Sequence, residues 1–229
     1  MKRFAVLGKT SETKAQLRKE LEAHHFIYDE TNPDIVLSYG GDGTYIIAEH
    51  TYPGIPKVLI RDSKICYKCH NIPTEHVLTN LAAGKYAIQK HAKIQAQFNN
   101  KTYVGVNEAT IRNKTPVHAL RFELRIDDKK INHEYIGDGI IISTSFGSTG
   151  YYYSVTRHTF TKGLGIAFNN TTIHHDHLLV DESSTIHITI TRGEGILAID
   201  HEMINVTEGD IITITKSKQF ASIIQVTGN

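Results

Sequence analysis

The sequence lacks the features that mark several protein classes. Its 229 residues include no tryptophan, two cysteines and five prolines. Two cysteines are too few for a disulfide framework, so the sequence favours a reducing, cytoplasmic location. No stretch approaches the roughly 18 apolar residues of a membrane-spanning helix, and the apolar run at 4–7 is too short for a signal peptide. We therefore expect no membrane partner.

An excess of charge of either sign is also missing. Twenty-five Lys and Arg residues face 24 Asp and Glu residues, which leaves a formal net charge of +1. Proteins that bind nucleic acid electrostatically carry a basic surplus, so we expect no nucleic-acid partner. The chain is 40% hydrophobic and 21% charged, and it is long enough for one domain or two modest ones. An anionic ligand would have to be recognised by local groups.

The first third of the chain alternates between strand-like and helix-like segments. Short apolar runs have the character of buried strands, and N-cap and Gly signals bound the helices between them. This alternation predicts an α/β domain with an open, mostly parallel sheet over residues 1–87. The expected strands are 4–7, 34–38 and 57–60, and the expected helices are 10–25, one that starts near Thr44, and 74–83 before Gly84.

The sequence pattern changes after residue 87, where β-branched residues and period-2 alternation dominate. This pattern predicts an all-β domain over residues 88–216. The C-terminal tail, 217–229, is a candidate to pack back on the first domain. The expected strands are 88–98, 103–111, 118–126, 139–144, 185–191, 195–199 and 211–215.

The sharpest motif is Gly-Gly-Asp-Gly-Thr at 40–44, between a predicted strand and a predicted helix. Glycines let a ligand approach the backbone, and amides at a helix N-terminus favour phosphate. Asp42 would repel phosphate unless it holds a metal or accepts a proton, and this conflict suggests a function. The alternative is a helix-capping Asp in an ordinary turn.

Two further polar elements follow in the predicted β domain. Asn107 and Glu108 interrupt an apolar run, where they are either ligands for ribose hydroxyls at a strand end or solvent-facing strand residues. Asp138-Gly139 precedes the hydroxyl-rich segment 143–151, which offers many donors to phosphate or sugar. Taken alone, that segment is equally typical of a flexible polar loop.

Together and in this order, the three elements resemble the NAD kinase family, within the superfamily of diacylglycerol kinases, sphingosine kinases and 6-phosphofructokinases. The family pattern is G-G-D-G-T, then N-[DE], then D-G with hydrophobics and T-x-x-G-S-T-A-Y-x-x-S. The chain matches it at 40–44, 107–108, 138–139 and 144–154, with Gly150 in place of the usual Ala. The resemblance implies a Rossmann-like α/β domain followed by a β-sandwich.

The resemblance also implies an activity: transfer of the terminal phosphoryl of ATP, or of polyphosphate, to the 2′-hydroxyl of the adenosine ribose of NAD. Asp42 would be the base or positioning residue, and magnesium or another divalent metal would bridge the donor phosphates. A homodimer or homotetramer is expected. The implied NAD-binding residues are Asp42, Gly43, Asn107, Glu108, Asp138, Thr149, Gly150, Tyr151 and Ser154, and the implied phosphate loop comprises Gly40, Gly41, Gly43 and Thr44.

The chain departs from the family pattern at several positions. The usual G-x-x-x-G-x-L-G-F loop is replaced by residues 61–69, and no Gly-Gly-Pro follows Ser154. The late Asp-Gly of the family is Asp200-His201 in this chain, so His201 is a possible further site residue. A related kinase of a lipid or sugar alcohol, or a non-catalytic NAD- or nucleotide-binding module, therefore remains an alternative.

Cysteine and histidine clusters suggest a third alternative, a metal- or redox-linked protein. Cys66 and Cys69, before His70, match the c-type haem attachment pattern, and with His70 or His76 they could form a zinc site. A pair of thiols on a loop is the favoured interpretation. The His-rich segment 174–177 is either a transition-metal site or, as we expect, a polar turn between strands.

Overall fold

The structure, a computed structural model, describes residues 1–64, 66, 68–70 and 72–226, without the side chains of residues 132 and 133. The chain forms two compact units. The first unit is Met1–His91 together with the segment that begins at Phe220, and the second is Ala92–Gln219. Of the helices in the described part of the chain, none has the length and apolar character of a bilayer span.

The first unit is built on a parallel sheet. Its strands are β1 (Arg3–Leu7), β2 (Ile27–Tyr28), β3 (Ile35–Gly40) and β4 (Lys57–Arg61), and its helices are α1 (Ser11–Ala23), α2 (Asp42–Thr51) and α3 (Thr74–Ala82). Neighbouring strands run in the order β2-β1-β3-β4, and the end of the last strand of the chain, Ile211–Val226, pairs in parallel with β4 through Ile223 and Lys57. The α/β class predicted for this half is confirmed.

Helices cover both faces of this sheet because successive strand residues point to opposite sides. Phe4 and Val6 of β1 belong to the apolar cluster that contains buried residues of α1 and α3. Ala5, between them, packs instead with Ala48 of α2. Strands that are buried on both faces are apolar along nearly their whole length. The short apolar runs in the sequence therefore marked the positions of these strands correctly.

The second unit is a β-sandwich, as expected. The elements are β5 (Tyr86–Phe98), β6 (Lys101–Gly105), β7 (Glu108–Asn113), β8 (Leu120–Ile126), β9 (Lys129–Gly137), β10 (Gly139–Thr144), a 3-10 helix (Gly147–Thr149), α4 (Tyr151–Thr156), β11 (Leu164–Asn169), β12 (Leu178–Val180), β13 (Ile186–Arg192), β14 (Gly195–Ile199), β15 (Glu202–Val206) and β16 (Ile211–Val226).

These strands form two sheets. One sheet is antiparallel, with the order β12-β11-β10-β7-β14-β15, and the other contains β16-β13-β8-β9 and the pair β5-β6. A single cluster of buried side chains joins the two sheets, with Ile111 and Ile142 from the first and Phe122 and Ile188 from the second.

Two strand predictions in this half are wrong in extent. The run expected at 103–111 is two strands, because the chain leaves the sheet between Gly105 and Glu108. The strand expected at 211–215 continues to Val226 and passes from the second unit into the first. Residues 227–229 of the expected tail lie outside the described residues. Strands β9, β11, β12 and β15 and helix α4 were not expected from the sequence.

Candidate functional site

The Gly-Gly-Asp-Gly-Thr turn joins β3 to α2. Gly40 is the last residue of β3, Gly41 is the N-cap of α2 in an extended conformation, and Asp42 is in the first turn of the helix. Gly41 has no side chain to cap the helix, so the first amides of α2 are not satisfied by a cap residue. A helix start of this kind at the carboxyl end of a parallel strand favours an anionic ligand.

Two glycines of this turn, Gly40 and Gly43, differ in whether the surrounding protein leaves room for a side chain. A Cβ on Gly40 would lie 2.8 Å from the Thr44 Cβ and closer still to its hydroxyl, so the strand-to-helix turn itself excludes a side chain there. A Cβ on Gly43 would meet no atom within 4 Å. Protein packing therefore does not require a glycine at 43, whereas a ligand that approaches the exposed backbone would.

Asp42 lies beside the two cysteines of the loop after β4. The Cys66 Sγ is 3.4 Å from the Asp42 Oδ1, and the Cys69 Sγ is 3.9 Å from the carbonyl oxygen of Gly40. Cys66 and Cys69 are joined in a disulfide, so the expected pair of thiols is wrong. In this oxidised form neither sulfur is a free thiol, so the pair offers no thiolate to zinc and no thiol for haem attachment. Ile65 and Tyr67 of this loop lie outside the described residues.

Basic side chains stand at the same edge of the parallel sheet, and the sequence motifs did not include them. Arg61 ends β4 and is in register with Gly40 on β3, and Lys9 follows β1 and donates to the carbonyl oxygen of Asp62 at 2.7 Å. A shallow cavity of about 650 Å³ is lined by Arg61, Lys64 and His70, among others. In the sequence, only their position could have indicated these basic residues as site candidates, since each lies at or just after the end of a predicted parallel strand.

In the second unit, Asn107 is held by backbone contacts on both sides. Its carbonyl oxygen accepts from the Thr144 backbone N–H at 2.9 Å and from the Thr144 hydroxyl at 3.0 Å. The same hydroxyl oxygen accepts from the Gly147 N–H at 2.9 Å. The end of β10 and the glycine after it therefore fix the backbone of Asn107.

The side chain of Asn107 has an unsatisfied acceptor. Its Oδ1 is buried and finds no hydrogen-bond partner among the described residues. A buried carbonyl oxygen without a donor is costly in a folded protein, and such atoms often mark positions that a ligand or water completes. A hydroxyl group is a donor of the required kind.

Asp200 explains why the strand breaks at Asn107. The Asp200 carboxylate accepts from the Val106 N–H at 2.9 and 3.1 Å and from the Asn107 N–H at 3.4 Å. Burial raises the pKa of Asp200 above its ordinary value, and the two backbone N–H groups oppose that shift. Asp200 has φ 48° in the turn between β14 and β15. His201, the possible site residue, is exposed in that turn.

Glu108, the first residue of β7, lies next to the glycine-rich segment after β10. A Cβ on Gly150 would be 3.8 Å from the Glu108 Oε2, and a Cβ on Gly147 would be 2.7 Å from the Asn107 Cα. The contact at Gly147 is too close for any side chain. The structure therefore brings together Asn107, Glu108 and the segment 147–150, as sequence order alone could not show.

Asp138 occupies the turn between β9 and β10, where asparagines hold its carboxylate. Oδ1 accepts from the Asn113 side-chain amide at 3.2 Å, and Oδ2 accepts from the Asn170 side-chain amide at 3.0 Å. The neighbouring Asn169 donates to the Tyr151 hydroxyl at 3.0 Å. These asparagines were missed in the sequence, although Asn170, with φ 49°, sits at a turn after a strand.

The predicted adenine-pocket residues lie on and before a short helix. Thr149 ends the 3-10 helix, Gly150 precedes α4, and Tyr151 begins it. The Ser154 hydroxyl is exposed and donates to the Tyr151 carbonyl oxygen at 2.7 Å. Thr149 and Gly150 are also exposed, so this segment presents polar groups and one half-buried aromatic ring to the surface of the unit.

The histidine-rich segment 174–177 forms a polar turn between β11 and β12, as expected. His174 contacts Asp176 at 3.4 Å with both side chains exposed, while His175 packs against Tyr135. Counting only described residues, the segment does not gather three ligand atoms within 4.8 Å of one another. The metal-site alternative for this segment therefore has no geometric support.

Known proteins resemble the chain in both sequence and fold. The family model of the ATP-NAD kinase C-terminal domain matches residues 106–226. An NAD kinase of Sulfurisphaera tokodaii is 30% identical over 215 residues, which cover 87% of this chain and 84% of the relative. Two further relatives, NAD kinases of Lactobacillus species, are matched over 57% and 58% of their length.

Solved structures share the fold. An NAD kinase from Archaeoglobus fulgidus, in complex with ATP, superposes with a TM-score of 0.84 at 19% identity and covers 98% of this chain and 94% of its own. Yeast NADH kinase, complexed with NADH, gives a TM-score of 0.87 at 14% identity and covers 100% of this chain and 84% of its own. The family model spans more than half of the 229 residues, and the archaeal relative is 30% identical over most of both chains. This chain therefore belongs to the NAD kinase family.

Proposed function

We propose that the chain is an NAD kinase, which transfers the terminal phosphoryl of ATP to the 2′-hydroxyl of the adenosine ribose of NAD and gives NADP. The observation that carries the proposal is the turn at 40–44, in a member of this family. It presents the Asp42 carboxylate in the first turn of α2, beside a glycine whose missing side chain the protein does not need. Polyphosphate is the alternative phosphoryl donor, because its terminal phosphoryl group can be transferred in the same reaction.

Asp42 is the proposed base or positioning residue. The acceptor hydroxyl must lose its proton as the new phosphorus–oxygen bond forms, and a carboxylate within hydrogen-bond reach can accept it. Because phosphoryl transfer has a loose transition state, most of the acceleration comes from alignment and charge neutralisation. Asp42 is therefore proposed to do both: it holds the 2′-hydroxyl in line with the donor, and it accepts the proton of that hydroxyl.

Residues of the second unit are the proposed NAD contacts. Asn107 and Glu108 hold ribose hydroxyls, and the partnerless Asn107 Oδ1 supports this assignment because a hydroxyl would satisfy it. Asp138 contacts the nicotinamide end or its ribose. The adenine pocket is lined by Thr149, Gly150, Tyr151 and Ser154, and the remaining candidate contacts are Gly43 and His201.

The donor phosphates are proposed to bind at the carboxyl edge of the parallel sheet. Amides of Gly40, Gly41, Gly43 and Thr44 offer N–H groups to phosphate oxygens, and Arg61 stands in register with Gly40. Lys9 and Lys64 add positive charge at the same edge. Because the net charge of the chain is only +1, phosphate binding would depend on local groups of this kind rather than on the overall charge.

A magnesium ion fits the residues at this edge. The Asp62 backbone N–H donates to the Gly40 carbonyl oxygen at 2.8 Å, so the main chain of Asp62 lies beside the turn that carries Asp42, and the Asp62 carboxylate is 3.8 Å from the Lys9 ammonium. Magnesium in phosphoryl-transfer sites is held by one or two carboxylates together with substrate phosphates. Asp42 and Asp62 would hold the ion, which neutralises charge on the donor when it is bound.

The location and assembly of the chain are also proposals. A cytoplasmic homodimer or homotetramer is proposed, formed through the β-rich unit. The support for this assembly is the resemblance to the NAD kinase family, whose members commonly assemble through the β-rich domain. Light scattering of the purified protein gives the mass, and a monomer at micromolar concentration would contradict the assembly.

The activity is tested by mixing the protein with ATP, NAD and magnesium and measuring NADP with a glucose-6-phosphate dehydrogenase coupled assay. We expect NADP to accumulate in proportion to enzyme. A rate no higher than that of a heat-killed control would contradict the proposed function. Diacylglycerol and sugar alcohols, offered in parallel as acceptors, test the lipid- or sugar-kinase alternative directly.

A further inference from the structure

The disulfide after β4 faces the candidate catalytic turn with both of its sulfurs. Cys66 Sγ lies 3.4 Å from the Asp42 carboxylate oxygen Oδ1, and Cys69 Sγ lies 3.9 Å from the Gly40 carbonyl oxygen. No step of the proposed kinase mechanism uses either sulfur. A disulfide against a reacting carboxylate is thus an unexplained feature of the first unit.

The chemistry of the pair suits exchange rather than permanent cross-linking. A disulfide between residues three apart closes a very short loop, which constrains the unfolded chain less than a long loop does. In a cytoplasmic enzyme, disulfides are usually catalytic or redox-sensing. Cys66 is buried, with 8% of its surface exposed, whereas Cys69 is partly exposed and follows Lys68. An incoming thiolate therefore reaches the sulfur of Cys69 more readily.

Reduction changes what Asp42 faces. In the disulfide, the Cys66 sulfur carries no hydrogen and donates nothing to the Asp42 carboxylate. Reduction gives Cys66 an S–H group, and a sulfur at the 3.4 Å separation from Oδ1 is close enough for that group to donate to the carboxylate. A carboxylate that already accepts such a bond is a poorer acceptor for the proton of a substrate hydroxyl.

We propose that Cys66 and Cys69 form a thiol–disulfide exchange site that controls turnover through Asp42, with the disulfide form the faster. The proposal rests on the proposed kinase function. A dithiol reductant, either a small molecule or a protein, transfers two electrons and two protons. Its thiolate attacks the Cys69 sulfur, and the Cys66 sulfur leaves as a thiolate. Its second thiolate then attacks the reductant sulfur of the mixed disulfide and releases Cys69, so that the reductant leaves as its own disulfide and the two protons convert Cys66 and Cys69 to thiols.

The test compares the two redox states of the same protein. The enzyme is equilibrated with reduced or with oxidised dithiothreitol, the thiol content is verified by alkylation and mass measurement, and NADP formation is measured. We expect the reduced enzyme to have a kcat about threefold to tenfold lower, the effect of one hydrogen bond, with little change in the KM for NAD. Equal kcat in both verified states would overturn the proposal.

Two double variants separate the hydrogen bond from loss of the cross-link. Cys66→Ala/Cys69→Ala has no donor beside Asp42, and Cys66→Ser/Cys69→Ala keeps a hydroxyl donor there. We expect neither to respond to dithiothreitol and the serine variant to have the lower kcat. Equal kcat of the two, at equal thermal stability, would show that the donor does not act on Asp42. Absence of NADP formation in every state would instead contradict the kinase function itself.

Discussion

At the scale of single residues, Asp42 is the side chain on which the proposed chemistry depends. We expect Asp42→Asn to lower kcat by about 10²- to 10⁴-fold, because an amide keeps the size but cannot accept the proton. The fold should persist, since the side chain contributes at most a helix-dipole interaction of about 0.3–1 kcal/mol. Coupled kinetics measure kcat, circular dichroism measures the fold, and calorimetry measures the affinity for NAD, which should change little. Normal turnover would show that Asp42 serves only the first turn of α2.

Asn107 gives a second test at this scale. We expect Asn107→Ala to lower kcat/KM for NAD about tenfold, because its Oδ1 is proposed to bind a ribose hydroxyl. The free energy of unfolding should hardly change, since that atom has no partner in the described part of the chain. The measurements are initial rates at varied NAD and urea denaturation.

Asn113 provides the matched control for Asn107. Its Oδ1 is likewise buried without a partner among the described residues, but its amide nitrogen donates to the His118 carbonyl oxygen at 3.0 Å and to Asp138 at 3.2 Å. We expect Asn113→Ala to lower the free energy of unfolding by about 1–3 kcal/mol. Similar stability losses in both variants would mean that Asn107 serves the fold rather than the ligand.

At the scale of elements, one buried ion pair fixes α2 on the sheet. The Lys57 ammonium on β4 donates to the Glu49 carboxylate and to the Tyr52 carbonyl oxygen, and the Lys57 and Glu49 side chains are 0% and 2% exposed. We expect Glu49→Ala to destabilise the fold by about 3–5 kcal/mol, because it leaves a buried charge without its main counter-charge. Urea denaturation measures the loss.

The double variant Glu49→Leu/Lys57→Met is the control for this pair. It removes both charges and keeps similar volume, so we expect it to be more stable than Glu49→Ala. An unfolding midpoint of Glu49→Ala equal to that of the wild type would contradict the account. The helix that Glu49 fixes on the sheet begins at Asp42. At temperatures where part of the Glu49→Ala protein is unfolded, we therefore also expect a lower apparent kcat.

The sequence predicted elements well where burial alone determines the residue pattern. β3 was expected at 34–38 and covers Ile35–Gly40, since parallel strands buried on both faces are apolar throughout. Strand β9 was missed because its pairing with β8 uses ion pairs, such as Lys130 with Glu123 at 2.7 Å, which leave no apolar alternation.

The sequence predicted one part of the candidate site, the glycine-rich turn, but not the distant contacts that support the other parts. The Gly-Gly-Asp-Gly-Thr turn pointed to the β3–α2 junction, because glycines between a buried strand and a helix N-terminus are typical of turns that bind phosphate. Asp200, by contrast, supports Asn107 from 93 residues away, and no local pattern reports so distant a contact. The disulfide was missed because sequence shows where cysteines are, but not their oxidation state.

At the scale of the whole molecule, the nearly balanced charge has a measurable consequence. With a net charge of +1, no long-range positive field steers an anionic ligand to the protein. We expect the KM for NAD to change by less than about twofold between about 0.05 M and about 0.3 M salt, because screening acts mainly on long-range fields. A steep rise in KM would show that Lys9, Arg61 and Lys64 act together as a strong basic field.

Strand β16 affects how the molecule is made. Ile223 and Ile224 of β16 pair with Lys57 and Val58 of β4. During synthesis, β4 therefore leaves the ribosome long before the part of β16 that pairs with it. Until then, the part of β4 at Lys57 and Val58 has no partner on that side, although His70 already pairs with Ile60 of the same strand. Unpaired strand edges are places where chains aggregate, so a fragment that stops at residue 91 would keep this short edge exposed permanently.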